Sequence, residues 1–207
     1  MGPFVNSLIS FLAILNPFAL CLYLAGVMDD LESRDFIRVL TAASVLSWIV
    51  FCIFALAGEA LLVDLLGVQP QSLRVFGGVI FFVVAYNYVT KGYRATEILR
   101  GSVEELPSAI ALPYMIGAGT LTQAILAGKQ NPPVSSVLLL LFGVMTCFLV
   151  VAGFKLVRDH LKTTREHVFV LYVNILSRIN GLLIGAISVE MVVSGVRQLW
   201  LNQTGMM

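Results

Sequence analysis

The residues able to do chemistry in this chain are few, and most of them lie inside apolar runs. Asn16-Pro17 interrupts the first long hydrophobic stretch. Gly117-Ala118-Gly119-Thr120, with Thr122 close behind, interrupts the fourth. Proline has no N–H to give to a helix, and glycine lets the main chain approach a neighbour or a ligand closely. A helix broken at such a point offers free carbonyls at one half, and free N–H groups with a positive dipole end at the other. Asn16 can satisfy those loose groups or bind a ligand, and Thr120 and Thr122 add hydroxyls. Glu190 lies within the last apolar run, where a carboxyl must pair, take up a proton or line water. Proton coupling is therefore one role for Glu190; pairing with an arginine, or a place near the outer edge, is the other. Asn87, Arg74 and Arg178 are the remaining polar residues in or at the margins of apolar segments, and either arginine can snorkel to an interface.

Covalent chemistry lacks its residues. No HExxH, CxxC or His/Cys cluster is present, so neither a metal site nor a cofactor is expected. No Ser/His set, paired aspartates or nucleotide-binding loop appears either. Cys21, Cys52 and Cys147 each sit in an apolar run and read as small hydrophobes. His160 and His167 flank a hydrophilic loop, and Glu59 and Asp64 read as outer-loop charges. A net charge of +1 without a basic, aromatic-interleaved stripe gives no reason to expect nucleic acid.

The elements that must position these residues are membrane helices. Apolar residues make up 58% of the chain and charged ones 12%, about half the charged share of an average soluble domain. Six apolar segments can be marked: about Phe4–Met28, Phe36–Leu62, Gln71–Val89, Pro107–Gly128, Val134–Val157 and Ile179–Trp200. Crossing a bilayer takes about 20 apolar residues. The first run lacks a basic leader and continues past Leu20, so it reads as a span and not as a removable signal. The expected organisation is one membrane domain: a first three-helix repeat over 1–94, a cytoplasmic connection over 95–106 and a second three-helix repeat over 107–207. Nine lysines and arginines fall in the first, third and fifth loops (Arg34, Arg38, Lys91, Arg94, Arg100, Lys155, Arg158, Lys162 and Arg165), against Lys129 and Arg197 on the other side. That bias predicts a multi-pass protein of the cell membrane with both termini extracytoplasmic. From Val168 to Trp200 is too long for one span, at roughly 50 Å as a single helix, so a break is expected near Asn174 to Arg178.

The two halves resemble one another. Arg74-Val75-Phe76-Gly77 opens the third segment and Arg178-Ile179-Asn180-Gly181 the sixth, with Asn87 and Glu190 at nearly equal depth beyond them. Three spans is an odd number, so two such units would have opposite orientations. Interrupted helices at matching places in inverted repeats point to a transporter's midplane site. Singly, such interruptions more often serve close helix packing, as does Gly181-Leu182-Leu183-Ile184-Gly185.

At these residues the chain resembles the MarC family of integral membrane proteins over nearly its whole length. The family's Asn-Pro-Ile-Gly appears as Asn16-Pro17-Phe18-Ala19, its Arg-x-x-Gly-Gly step as Arg74 to Gly78, and its Pro-x-x-x-Gly-Pro-Gly-x-x-Thr motif as Pro113 to Thr122. The closing Arg-x-x-Gly helix appears as Arg178 to Gly195. Ala19 and Ala118 stand where the family usually has Gly and Pro, and Glu190 where Gln is frequent. The resemblance implies an all-α polytopic fold of six transmembrane helices, built as two inverted-topology repeats with interrupted first and fourth helices. It also implies a secondary transporter of small neutral amino acids such as glycine or alanine, coupled to protons or sodium, with an oligomer possible. The substrate-binding residues would then be Asn16, Pro17, Gly117, Ala118, Gly119, Thr120 and Thr122. The alternatives are a channel or exporter of another small solute and, further off, a membrane enzyme.

Overall fold

The structure is a computed structural model that describes residues 2–91, 105–162 and 166–204. Every regular element among them is helical. The connection expected over 95–106 and the boundary of its two flanking halves fall almost wholly outside these residues.

The chain begins with α1 (Pro3–Leu15), which stops at Asn16 in the left-handed conformation, φ 43° and ψ 83°. The cause is local. A residue before proline is pushed out of the helical region, and asparagine tolerates the left-handed one. The short helix α2 (Pro17–Tyr23) restarts at once, its Ala19 N–H donating to the Asn16 side-chain oxygen at 3.1 Å. After Leu24 comes α3 (Ala25–Asp30), and the three pieces together span Pro3–Asp30. Helix α4 (Ser33–Glu59) widens into a π-helical turn, Ala60–Leu65, and ends at Gly67 with φ +63°. Helix α5 (Pro70–Lys91) follows.

The fourth apolar segment is the most broken. A five-residue α6 (Leu106–Ile110) passes into a π-helical stretch, Ala111–Met115, in which Leu112 is extended ahead of Pro113. Ile116 and Gly117 are also extended, and α7 (Ala118–Gln130) starts only there. The expected interruption is thus present. It lies at 112–117, with Ala118 and Gly119 already helical. Helices α8 (Pro133–Lys162) and α9 (Glu166–Thr204) complete the chain.

Among the described residues, five stretches are long and apolar enough to cross a membrane: Pro3–Asp30, Ser33–Leu65, Pro70–Lys91, Pro133–His160 and Asn174–Asn202. The fourth segment forms no single helix of that length, because the break divides it into Leu106–Ile110, Ala111–Met115 and Ala118–Gln130. The break expected near Asn174 to Arg178 does not occur. No glycine or proline stands between Glu166 and Asn180, so nothing stops the ladder, and α9 continues for 39 residues, roughly 58 Å.

Two packing units emerge. The main apolar core joins α1–α4 with α6–α8 through Phe11, Leu20, Phe36, Leu40, Met115, Leu139 and Leu140. No described side chain of α5 or α9 belongs to it. Those two helices instead run antiparallel against each other: Gly195 meets Val75, Gly78 meets Ser188 and Val192, Gly185 meets Ala85, and Gly181 meets Tyr88. Small residues let the two backbones approach, the usual basis of helix association in lipid. The pair docks on α2 through Ala19, Ala85 and Ile184, and through Leu22 and Tyr88.

Candidate functional site

The two interruptions meet at the seam between these units. A methyl placed on Gly119 would lie 3.1 Å from Ile14 Cγ2 and 2.8 Å from Met191 Cε, which puts the start of α7 beside the end of α1 and against α9. Next to this contact is a cavity of ≈ 20 Å³, room for about one water. Ala13, Ile14, Leu15 and Asn16 form one side of it, and Tyr23, Phe81, Tyr114, Ile184 and Ile187 close the rest.

The end of α1 brings acceptors to this cavity. Pro17 has no N–H for the Ala13 carbonyl four residues back. The Ala19 N–H, which in a continuous helix would serve Leu15, goes to the Asn16 side chain. The negative end of the helix dipole points the same way. Asn16 also donates from Nδ2 to Asn180 Oδ1 at 3.1 Å and so ties α1 to α9 across the seam.

The start of α7 is closed off in contrast. The Thr120 hydroxyl accepts from the N–H of Gly117, the residue before the helix, at 2.9 Å and lies 2.8 Å from the Met115 carbonyl. Thr122 donates to the Ala118 carbonyl at 2.8 Å. A methyl on Gly77 would stand 2.7 Å from the Gly119 nitrogen, so α5 covers that end. Of the expected substrate residues, Asn16 lines the cavity and Pro17 shapes it. Gly117, Ala118, Gly119, Thr120 and Thr122 pack beside it without lining it.

The expected intramembrane polar set is scattered. Glu190 is exposed on α9, one residue from the buried Met191, and does not line the cavity. Asn87 is half-buried and donates to the Val83 carbonyl of its own helix at 2.9 Å. Arg74 is half-buried, and its Nε has no hydrogen-bond partner among the described residues. Arg178 is exposed.

Sequence reasoning missed two groups. One is a layer of the buried Asn180 and Tyr88 and the half-buried Tyr23 and Tyr114 beside Asn16. Tyr23 contacts both other rings, with centroids 5.2 Å from Tyr88 and 5.1 Å from Tyr114. The available signal was Asn180 itself, an asparagine just inside the last apolar run. The other group is a clamp near the C-terminal end of α8. Lys155, 3% exposed, donates to the Met28 and Leu31 carbonyls at 2.6 and 3.0 Å and pairs with Asp159 at 2.8 Å. Arg158 reaches the Ala25 carbonyl and Asp29. Two cations thereby cap the end of α3. Among the described residues no group of His, Cys, Asp and Glu is placed to hold a metal ion.

The chain is similar to known membrane proteins along its length. The model of the MarC family integral membrane protein matches residues 1–200. A UPF0056 membrane protein of Aquifex aeolicus is 27% identical, covering 95% of this chain and 93% of that protein. One from Pyrococcus horikoshii is 24% identical over 96% and 95%. The UPF0056 membrane protein YhcE of Escherichia coli is 24% identical over 72% and 71%. No solved structure matches. With the broken helices and apolar spans in place, the family match over almost the whole chain is decisive: this chain belongs to the MarC family of integral membrane proteins.

Proposed function

We propose that this protein is a secondary transporter of small neutral amino acids, of the size of glycine or alanine, in the cell membrane. The observation that carries the reading is the convergence of two interrupted helical segments beside a small cavity at the seam of two packing units. Irregular backbone inside a membrane protein is tolerated where it is buried in protein or lines a cavity, and transporters place their sites there. The carbonyls of Ala13 to Leu15 suit an ammonium group. Ile14, Ala19, Ile184 and Ile187 around the cavity leave room only for a short side chain. A cavity of one water's size describes a closed conformation, and loading it requires the α5/α9 pair to shift from the other unit.

In this reading the two halves form an inverted repeat of three helical segments each. Its support lies in α4 and α8, where buried positions recur 100 residues apart: Phe36 and Ser136, Leu40 and Leu140, Ala43 and Gly143, Ser47 and Cys147, Phe51 and Val151. Asn16 and Gly117, at the two breaks, stand at nearly the same spacing. A proton or sodium ion would drive transport, with Glu190 as the proposed proton carrier.

Uptake of labelled glycine and alanine by proteoliposomes, under imposed proton and sodium gradients, tests this. Saturable accumulation driven by one gradient is expected. Absence of uptake under every gradient overturns the reading, and rapid non-saturable flux favours a channel.

A further inference from the structure

The polar layer beside Asn16 has hydrogen-bonding capacity that the protein itself does not use. Asn180 is 6% exposed, and its Oδ1 is engaged by Asn16, yet its Nδ2 has no partner among the described residues. Tyr88 is 1% exposed, and its hydroxyl has none either. The two lie in adjoining positions of α9 and α5, since a methyl on Gly181 would come within 2.9 Å of Tyr88 Cβ. Leaving a buried donor unmade costs free energy, and two such donors on neighbouring stretches of α9 and α5 call for an acceptor. Tyr23, which lines the cavity, contacts the Tyr88 ring, and Asn16, which also lines it, holds Asn180. Each donor thus belongs to a residue that touches the cavity lining, while α5 covers the other candidate source of donors, the start of α7, at Gly119.

We propose that Asn180 Nδ2 and the Tyr88 hydroxyl form the carboxylate-binding half of a zwitterion site, whose ammonium half is the end of α1. This rests on the amino-acid transport reading and assigns its substrate groups. Both donors are neutral and acceptor-seeking, so they suit an anion without placing a fixed charge in the membrane. The substrate then enters along the seam of α1 and α9, which must open and part Asn16 from Asn180 to admit it.

Two variants test the assignment in proteoliposomes, with thermal unfolding measured in parallel. Tyr88→Phe removes only a hydroxyl that no described residue engages, so the melting temperature should stay or rise. The KM for glycine should rise roughly tenfold or more, the effect of one hydrogen bond to a charged group. Asn180→Asp keeps the acceptor for Asn16 and sets a carboxylate against the substrate's own, so glycine uptake should be lost. Competition by glycinamide, which lacks the carboxylate, should weaken less than competition by glycine in Tyr88→Phe. A wild-type protein that accumulates glycine while both variants keep its KM would overturn this assignment alone. A wild-type protein that accumulates neither glycine nor alanine would overturn the transport reading and this proposal with it. If Asn180→Asp fails to fold, Tyr88→Phe decides.

Discussion

Gly128 on α7 offers the sharpest test of the packing described above. A methyl built there would sit 1.9 Å from the Ala55 carbonyl oxygen and 2.7 Å from its carbon. Carbon and oxygen rest at roughly 3.3 Å or more, so Gly128→Ala must drive α4 and α7 apart by about 1.4 Å at this point. The obstacle is main chain inside a helix and has no rotamer to turn to. Overpacking of a core usually costs about 1–3 kcal/mol, and a rigid obstacle places this variant at the upper end. Gly153 on α8 is the internal control, because a methyl there meets nothing within 4 Å. Alanine in place of glycine in a helix interior is worth about 0.5–1 kcal/mol, so Gly153→Ala should stabilise. The gap between the two variants is then about 3–4 kcal/mol. At about 2–4 °C per kcal/mol for a chain of this length, they should melt roughly 6–16 °C apart. The assay is thermal unfolding of purified protein in one detergent. A Gly128→Ala variant melting at or above Gly153→Ala would refute the α4–α7 contact and the core built on it.

Lys155→Met should be severely destabilising, by about 3–5 kcal/mol, because it strips the Met28 and Leu31 carbonyls and Asp159 of a buried partner; a melting temperature within 2–3 °C of wild type would dismiss the clamp. Glu190→Gln should fold and melt as wild type, since Glu190 is exposed and no ion pair holds it among the described residues. Its uptake should lose dependence on a pH gradient, because glutamine cannot change charge; unchanged gradient-driven accumulation removes Glu190 from coupling. Reporter fusions after Met207 should be active only with an extracytoplasmic reporter, as the nine-to-two distribution of basic residues predicts, and cytoplasmic activity there reverses every loop.

What the sequence made legible, it did so through local chemistry. The Asn16-Pro17 break is dictated by two adjacent residues, whose restrictions hold in any surroundings. The Pro113 to Gly117 interruption is legible for the same reason, although its position slipped: Leu112 before the proline is the first residue to leave the helix, and Gly119 is already in one. The break expected near Arg178 was inferred from bilayer thickness instead of from a breaker. Thickness limits what is immersed, not how far a helix continues, and α9 simply runs on.

The polar layer around Asn16 is harder to read because it is made by tertiary contact. Nothing in the spacing of Tyr23, Tyr88 and Tyr114 announces that their rings meet, and each alone suits a membrane interface as well as an interior. Asn16 and Asn180 are 164 residues apart. The threonines drew attention as hydroxyls near a break, yet Thr120 and Thr122 spend their hydroxyls on the α7 backbone. A polar residue deep in an apolar helix is informative only once its partners are known. Asn180 and Tyr88 stand out because each keeps a donor that the described protein leaves unanswered, at the seam where a zwitterion would need one.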